Sequence, residues 1–156
     1  MLRISKLTDY ATVVLACLAD APAEHHSAAD VAARTGVAAP TVSKLLKELH
    51  KYGLVRSTRG ARGGYALARP AAEISAAEII DAVEGPVSLT ECSGHPGLCE
   101  IEGSCRVGGA WQRVNDAIRR ALGEVKLTHL TGADRHLQAP NLLSHLEVPV
   151  VWRGRV

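Results

Sequence analysis

Cys92, Cys99 and Cys105 are three of the four cysteines in this 156-residue chain, and they share one short stretch, "TECSGHPGLCEIEGSC" at residues 90–105. Thiolates are soft ligands that suit iron–sulfur clusters and zinc rather than hard cations. Gaps of six and five residues, with Gly94, Gly97 and Gly103 between them, fit a loop wrapped around a metal centre. They differ from the two-residue gaps of zinc-ribbon cysteines, although zinc stands as an alternative to an iron–sulfur cluster. A disulfide would leave one thiol over, and in a reducing compartment it would be transient. Three thiolates leave a further ligand to be found, and His95, Glu91, Glu100 and Glu102 are the local candidates. Cys17 stands apart on an apolar helical stripe and reads as a small core residue.

Such a loop needs a frame, and the charge distribution suggests what the frame does. The net charge of +2 hides an asymmetry: residues 1–70 carry 10 basic and 5 acidic side chains, residues 71–156 carry 8 and 11. Lys44, Lys47, Lys51, Arg56, Arg59, Arg62 and Arg69 are interrupted only by Glu48, a cluster suited to a polyanion. Taken alone, it could equally be a solvated basic face. The core must be aliphatic, because Phe is absent and only two Trp and three Tyr are present. No apolar run is long enough to span a bilayer, and "MLRISKLTDYATVVLACLAD" lacks a signal-peptide pattern, so the expectation is a cytoplasmic protein with no membrane partner.

The elements follow from local signals. Residues 7–19 form a helix whose apolar side carries Tyr10, Val14, Cys17 and Leu18. Ser27 and Asp30 cap a short second helix that stops at Gly36, and after a three-residue turn Pro40 opens a third, "PTVSKLLKELHKYG". Val42, Leu45, Leu46 and Leu49 turn one side of that helix inward, leaving Thr41, Ser43, Lys44, Lys47 and Lys51 outward. "GLVRST" and "GYALA" read as two strands around the turn "RGARGG", with Arg59 and Arg62 at its tip. The fold expected is mainly α with a small β-hairpin, a winged helix-turn-helix. Thr41, Ser43 and Lys44 are placed for base edges of double-stranded promoter DNA, and Lys47, Arg59 and Arg62 for phosphates or the minor groove. Ser75 and Glu78 cap a fourth helix ended by Gly85 and Pro86. Beyond the cysteines, Val107, Trp111, Val114, Ile118, Ala121 and Val125 recur at steps of four and three, a stripe on a long helix. A small winged helix has little core to spare for that stripe, so Trp111, Val114 and Ile118 are expected at a homodimer interface.

Three segments, "SKLTDYATVVLACLA", "PTVSKLLKELHKYGLV" and "RGARGGYALAR", together with the cysteine triplet, resemble the winged-helix regulators typified by IscR and NsrR, the Rrf-two family. The resemblance runs over roughly residues 1–125 and is nearest to regulators of SUF iron–sulfur assembly operons. It implies a DNA-binding homodimer controlled by a [2Fe-2S] or [4Fe-4S] cluster held by Cys92, Cys99 and Cys105. The IscR-like pattern places a histidine three residues after the last cysteine, but position 108 here is glycine. "LTDYA" resembles the NsrR-type segment whose aspartate reaches the partner subunit's cluster, which implies Asp9 as fourth ligand, with His95 as the local alternative.

The organisation expected is a winged helix-turn-helix over residues 1–86, a cluster-binding loop over 87–106, a dimerisation helix region over 107–131 and a tail over 132–156 in which no pattern is legible. No catalytic triad, paired acid and base, or P-loop is present, and "GARGG" is not a dinucleotide fingerprint because no helix follows it. The chain is therefore read as a non-enzymatic regulator. The competing reading is a small iron–sulfur or zinc redox protein that uses its basic half to dock an acidic partner.

Overall fold

The computed structural model describes residues 3–60, 63–90, 93 and 105–132. Arg62, Glu91, Cys92, His95, Cys99, Glu100, Glu102 and residues 133–156 lie outside them.

Helix α1 (Lys6–Ala19) begins where the Ser5 hydroxyl accepts the Thr8 N–H. It buries Val14, Leu15, Cys17 and Leu18. Helix α2 (Ala28–Thr35) carries the capping box read from sequence, Ser27 and Asp30 each accepting the other's backbone N–H, and ends at Gly36 in the left-handed region at φ 71°. Helix α3 (Ala39–Lys51) starts one residue earlier than Pro40 signalled. The proline ring is tolerated at the second position as at the first, because neither N–H has an intrahelical acceptor.

Strands β1 (Val55–Thr58) and β2 (Gly64–Leu67) pair antiparallel from Val55↔Leu67 to Thr58↔Gly64, slightly shorter than the sequence runs. The sequence did not signal a third segment on this hairpin. His26 and Tyr65 exchange backbone hydrogen bonds of 2.9 and 2.8 Å, so the residues entering α2 lie along the outside of β2. Gly64 permits this, since a Cβ there would come within 2.6 Å of the His26 carbonyl oxygen.

A 3-10 turn (Ala71–Glu73) leads into α4 (Ala76–Glu84), whose Ser75 and Glu78 form the second capping box. The long helix α5 (Gly108–Glu124) follows the cysteine segment, and the single turn α6 (Leu127–Leu130) follows α5. The core joins α1, α3 and α4 through Leu15, Leu18, Leu46, Leu49, Ile74 and Ile79, with Val31 from α2 and Leu54 and Val55 from the hairpin. Each such side chain contributes about 1.5–3 kcal/mol by leaving water. Leu127, from the region assigned to the dimerisation helix, is fully buried in the same core. Among the described residues no helix is long and apolar enough to cross a membrane.

Candidate nucleic-acid interface and sensor segment

The outward side of α3 is polar. Thr41 and Ser43 are half-buried near its start, Lys44 and Lys47 are exposed, and Val42, Leu45, Leu46 and Leu49 are buried behind them. The 3.6-residue repeat alone produces this division. Arg59 is exposed where β1 ends, and Arg56 is exposed on β1. The His50 ring docks helix to hairpin: its Nδ1–H donates to the Val55 carbonyl at 3.0 Å. His25, held to the Thr58 hydroxyl at 3.0 Å, flanks the hairpin from the other side.

Not every cation in the run faces outward unpaired. Lys51 spans one turn back to Glu48 at 2.9 Å. Arg69 donates to Glu78 at 2.6 Å and to the Glu73 carbonyl at 3.2 Å, which ties the end of the hairpin to α4. Burial disfavours a charge on Glu78, but the Arg69 guanidinium and the Ser75 N–H and O–H outweigh it and hold the carboxyl below its usual range. Lys44, Lys47, Arg56 and Arg59 make no ion pair among the described residues, leaving a positive surface across α3 and the hairpin.

Cys105 is a free, half-buried thiol just ahead of α5. A Cβ on Gly108 would lie 3.8 Å from its Sγ, in ordinary contact. A side chain at 108 would therefore lie beside the thiol, and glycine leaves that space open. Cys17 is buried in α1, and burial raises its thiol pKa, as expected of a core cysteine.

Asn115 is a buried polar residue that sequence periodicity overlooked. It is the one buried position of α5, 3% exposed. Its Oδ1 accepts the Leu89 N–H at 3.3 Å and its Nδ2 donates to the Ser93 carbonyl at 3.5 Å, which fixes the backbone on both sides of Thr90 as the chain approaches Cys92. A lone asparagine in a helix gives no signal of this in sequence. Farther along α5, Arg119 forms a two-pronged pair with Asp81 at 3.1 and 2.8 Å. At its end the Val125 carbonyl accepts from Ala76 N–H, and Leu127 N–H donates to the Ile74 carbonyl, both at 2.8 Å. With one face of α5 so engaged, Val107, Trp111 and Val114 remain exposed and Ile118 half-buried.

Asp9 is exposed in the first turn of α1, where the helix dipole stabilises a carboxylate, and it lines a groove with Leu122 and Val125. Those residues belong to the end of α5, whereas Cys105 precedes its start. At about 1.5 Å per residue the helix separates them by roughly 25 Å within one chain.

The family model described as "Rrf2: Iron-dependent Transcriptional regulator" matches residues 4–133. The transcriptional regulator IscR of Xenorhabdus nematophila is 37% identical over 102 residues, 65% of this chain, and that of Escherichia coli is 34% identical over the same length. The matched segment spans 62% of the length of these curated relatives. Among solved structures, CymR, the global cysteine regulator of B. subtilis, superposes with a TM-score of 0.66 at 28% identity, covering 85% of this chain and 98% of CymR. IscR of T. potens superposes with a TM-score of 0.62, also at 28% identity, covering 88% of this chain and 93% of that one.

Proposed function

This chain belongs to the Rrf2 family of iron-dependent transcriptional regulators, and from that premise we propose that it is a homodimeric DNA-binding regulator whose hold on its operator is set by an iron–sulfur cluster. The observation that carries the reading is that Lys44, Lys47, Arg56 and Arg59, on α3 and the adjoining hairpin, are all exposed and make no ion pair among the described residues. A helix entering the major groove reads bases from its first turns, so Thr41, Ser43 and Lys44 are assigned to base edges. Lys47, Arg59 and Arg62 neutralise phosphates or enter the minor groove.

Cys92, Cys99 and Cys105 are the cluster's thiolate ligands. Cys105 fits this role as a free, partly accessible thiol at the head of α5 with an open position beside it at Gly108. With no side chain at 108 to complete the set, Asp9 of a partner subunit is the fourth ligand in this reading, and His95 is the local alternative. Distance favours the partner, because α5 keeps Asp9 and Cys105 of one chain apart. A [2Fe-2S] or [4Fe-4S] group would supply a switch sensitive to oxygen or nitric oxide. This chain's residues position it: Asn115 holds the loop's entry, Arg119 fastens α5 to α4, and α5 carries the loop's exit to the second subunit. The genes regulated are, by resemblance, those of iron–sulfur cluster assembly.

The test compares Cys92→Ala, Cys99→Ala, Cys105→Ala and Asp9→Ala with the parent after anaerobic purification. Each cysteine variant is expected to lose the visible chromophore and bound sulfide and to change operator affinity in the absence of air. Three cysteine variants with a normal chromophore would remove the cluster from the reading. A loss confined to His95→Ala among the candidate fourth ligands would transfer that role from Asp9.

A further inference from the structure

His25 and His26 are neighbours in the chain, and the fold gives their imidazoles opposite surroundings. His26 is buried, 9% exposed, and its backbone exchanges hydrogen bonds with Tyr65 of β2 at 2.9 and 2.8 Å. Its Nε2 lies 3.5 Å from Nη1 of Arg34. A guanidinium only donates, so this contact uses the Nε2 lone pair and ends if a proton takes it. His25 is half-buried instead, and its Nε2 lies 3.0 Å from the hydroxyl of Thr58. A hydroxyl both donates and accepts, so that bond persists whether or not the ring is charged.

The same bond fixes where a charge on His25 would stand. His26 bridges to the outer side of β2, and His25 reaches across that strand to Thr58 of β1, which pairs there with Gly64, a residue with no side chain to block the approach. Thr58 ends β1 and immediately precedes Arg59, and Arg56 and Arg59 are both exposed. The carboxylates near the pair of histidines are engaged elsewhere. Asp30 of α2 accepts the Ser27 N–H and O–H at 3.1 and 2.6 Å, and Asp20, after α1, accepts from Arg34 at 3.5 Å. Glu24 is exposed beside His25 in the chain, and Tyr65 meets the neighbouring His26 through its backbone. His25 itself makes no ion pair among the described residues, so a proton on it would face cations on the hairpin and remain available to an anion from outside.

We propose that His25 is a proton-dependent contact to the phosphate backbone of double-stranded DNA, its Nε2–H donating to the Thr58 hydroxyl and its Nδ1–H to a phosphate oxygen. Protonation makes both ring nitrogens donors and adds a unit charge, and a hydrogen bond between two ions is stronger than one from a neutral ring. Histidine is the side chain whose charge changes nearest to physiological pH. The hairpin therefore gains one phosphate contact as pH falls, beside Arg56 and Arg59, whose charges stay constant. Thr58 is the positioning residue, because its hydroxyl holds the ring in either charge state. This rests on the reading of the chain as a DNA-binding regulator, and it adds a contact that the run of lysines and arginines does not contain.

The test is fluorescence anisotropy of operator DNA titrated with the anaerobically purified full chain, over a series of salt concentrations at about pH 8 and about pH 6. At the lower pH the parent's affinity is expected to rise about threefold or more, and its slope of log affinity against log salt to steepen by about one, as one more phosphate is neutralised. His25→Gln, which cannot take the charge, should keep the shallower slope at both pH values. His25→Lys, which carries the charge throughout, should show the steeper slope at both. His50→Gln, which alters the exposed histidine at the end of α3, should behave as the parent does. A parent slope that is the same at both pH values overturns the proposal. So does a steepening that survives His25→Gln, which would place the proton on another histidine. A parent that binds no operator at either pH would overturn the regulator reading and this contact with it, whereas operator binding indifferent to pH overturns the contact alone.

Discussion

Lys44 and Arg59 are both exposed cations, and the proposed function gives them different work. Lys44 stands in the second turn of α3, which the proposed function sets against base edges. Lys44→Ala is expected to change the ranking of operator sequences, by about 1–3 kcal/mol at the base it contacts, in competition assays against point-mutated sites. Arg59→Ala should instead weaken all sequences alike and reduce the salt slope by about one. An unchanged slope would detach the hairpin from the interface. Asn115 acts at the same scale on the other half of the molecule. Asn115→Ala removes the partner of the Leu89 N–H and the Ser93 carbonyl, at a cost of about 1–3 kcal/mol if those groups stay buried. Urea denaturation should register that loss. If Asn115 positions the cluster loop, the anaerobic chromophore should also be held less tightly against a chelator than in the parent.

Between elements, one carboxylate ties the start of α1 to the end of α4, beside the apolar core they share. Glu84, last in α4, accepts the hydroxyl of Thr8 and the backbone N–H of Ser5, the cap of α1. The Thr8 O–H leads in lowering the Glu84 pKa below its ordinary 4.5, partial burial opposes it, and the Ser5 groups add to the lowering. A folded-state pKa below the unfolded one means the contribution to stability is present above about pH 4.5 and lost as pH falls through the folded value. Glu78 shifts in the same direction and acts in the same range. Urea midpoints of the parent should be flat near neutrality and drop below about pH 4.5. Glu84→Gln should lower the neutral midpoint and flatten part of the acid limb. A parallel acid limb in the variant would deny Glu84 this role.

For the whole molecule, the geometry of two-fold recognition sets the demand. In the proposed dimer two recognition helices would enter major grooves about one turn of DNA apart, and α5, the longest helix among the described residues, would set their spacing. Ile118→Asp places a charge within the apolar stripe proposed for the dimer interface. The variant is expected to fold as the parent does by circular dichroism, to sediment as a monomer, and to lose most of its affinity for a full operator while keeping weak, salt-sensitive binding to a half-site. A folded dimer with unaltered operator affinity would confine α5 to its own subunit. A redox carrier docking an acidic protein would share the salt sensitivity but show no preference for one DNA sequence over another.

Signals that act within a turn or two were legible before any coordinates. Ser27 with Asp30, Ser75 with Glu78, and Gly36 place helix ends because a cap and its partner lie three or four residues apart, and the inward side of α3 follows from the helical repeat. The strand pair could be read because a glycine-rich turn joins its halves. Sequence alone thus determined the order of elements and the family resemblance. Tertiary structure decided which side chains remain available. Arg69 counted as a free cation until Glu78 of another element took it, and His26 gave no sign of lying against β2 until Gly64 let the backbones approach. The stripe on α5 showed an apolar face but not its cover. Only when Asn115, Arg119 and Leu127 engage the subunit does Trp111 emerge bare at one end and the Val125 groove at the other. These partners lie tens of residues apart in the chain, and packing, which joins them, has no local spacing to read.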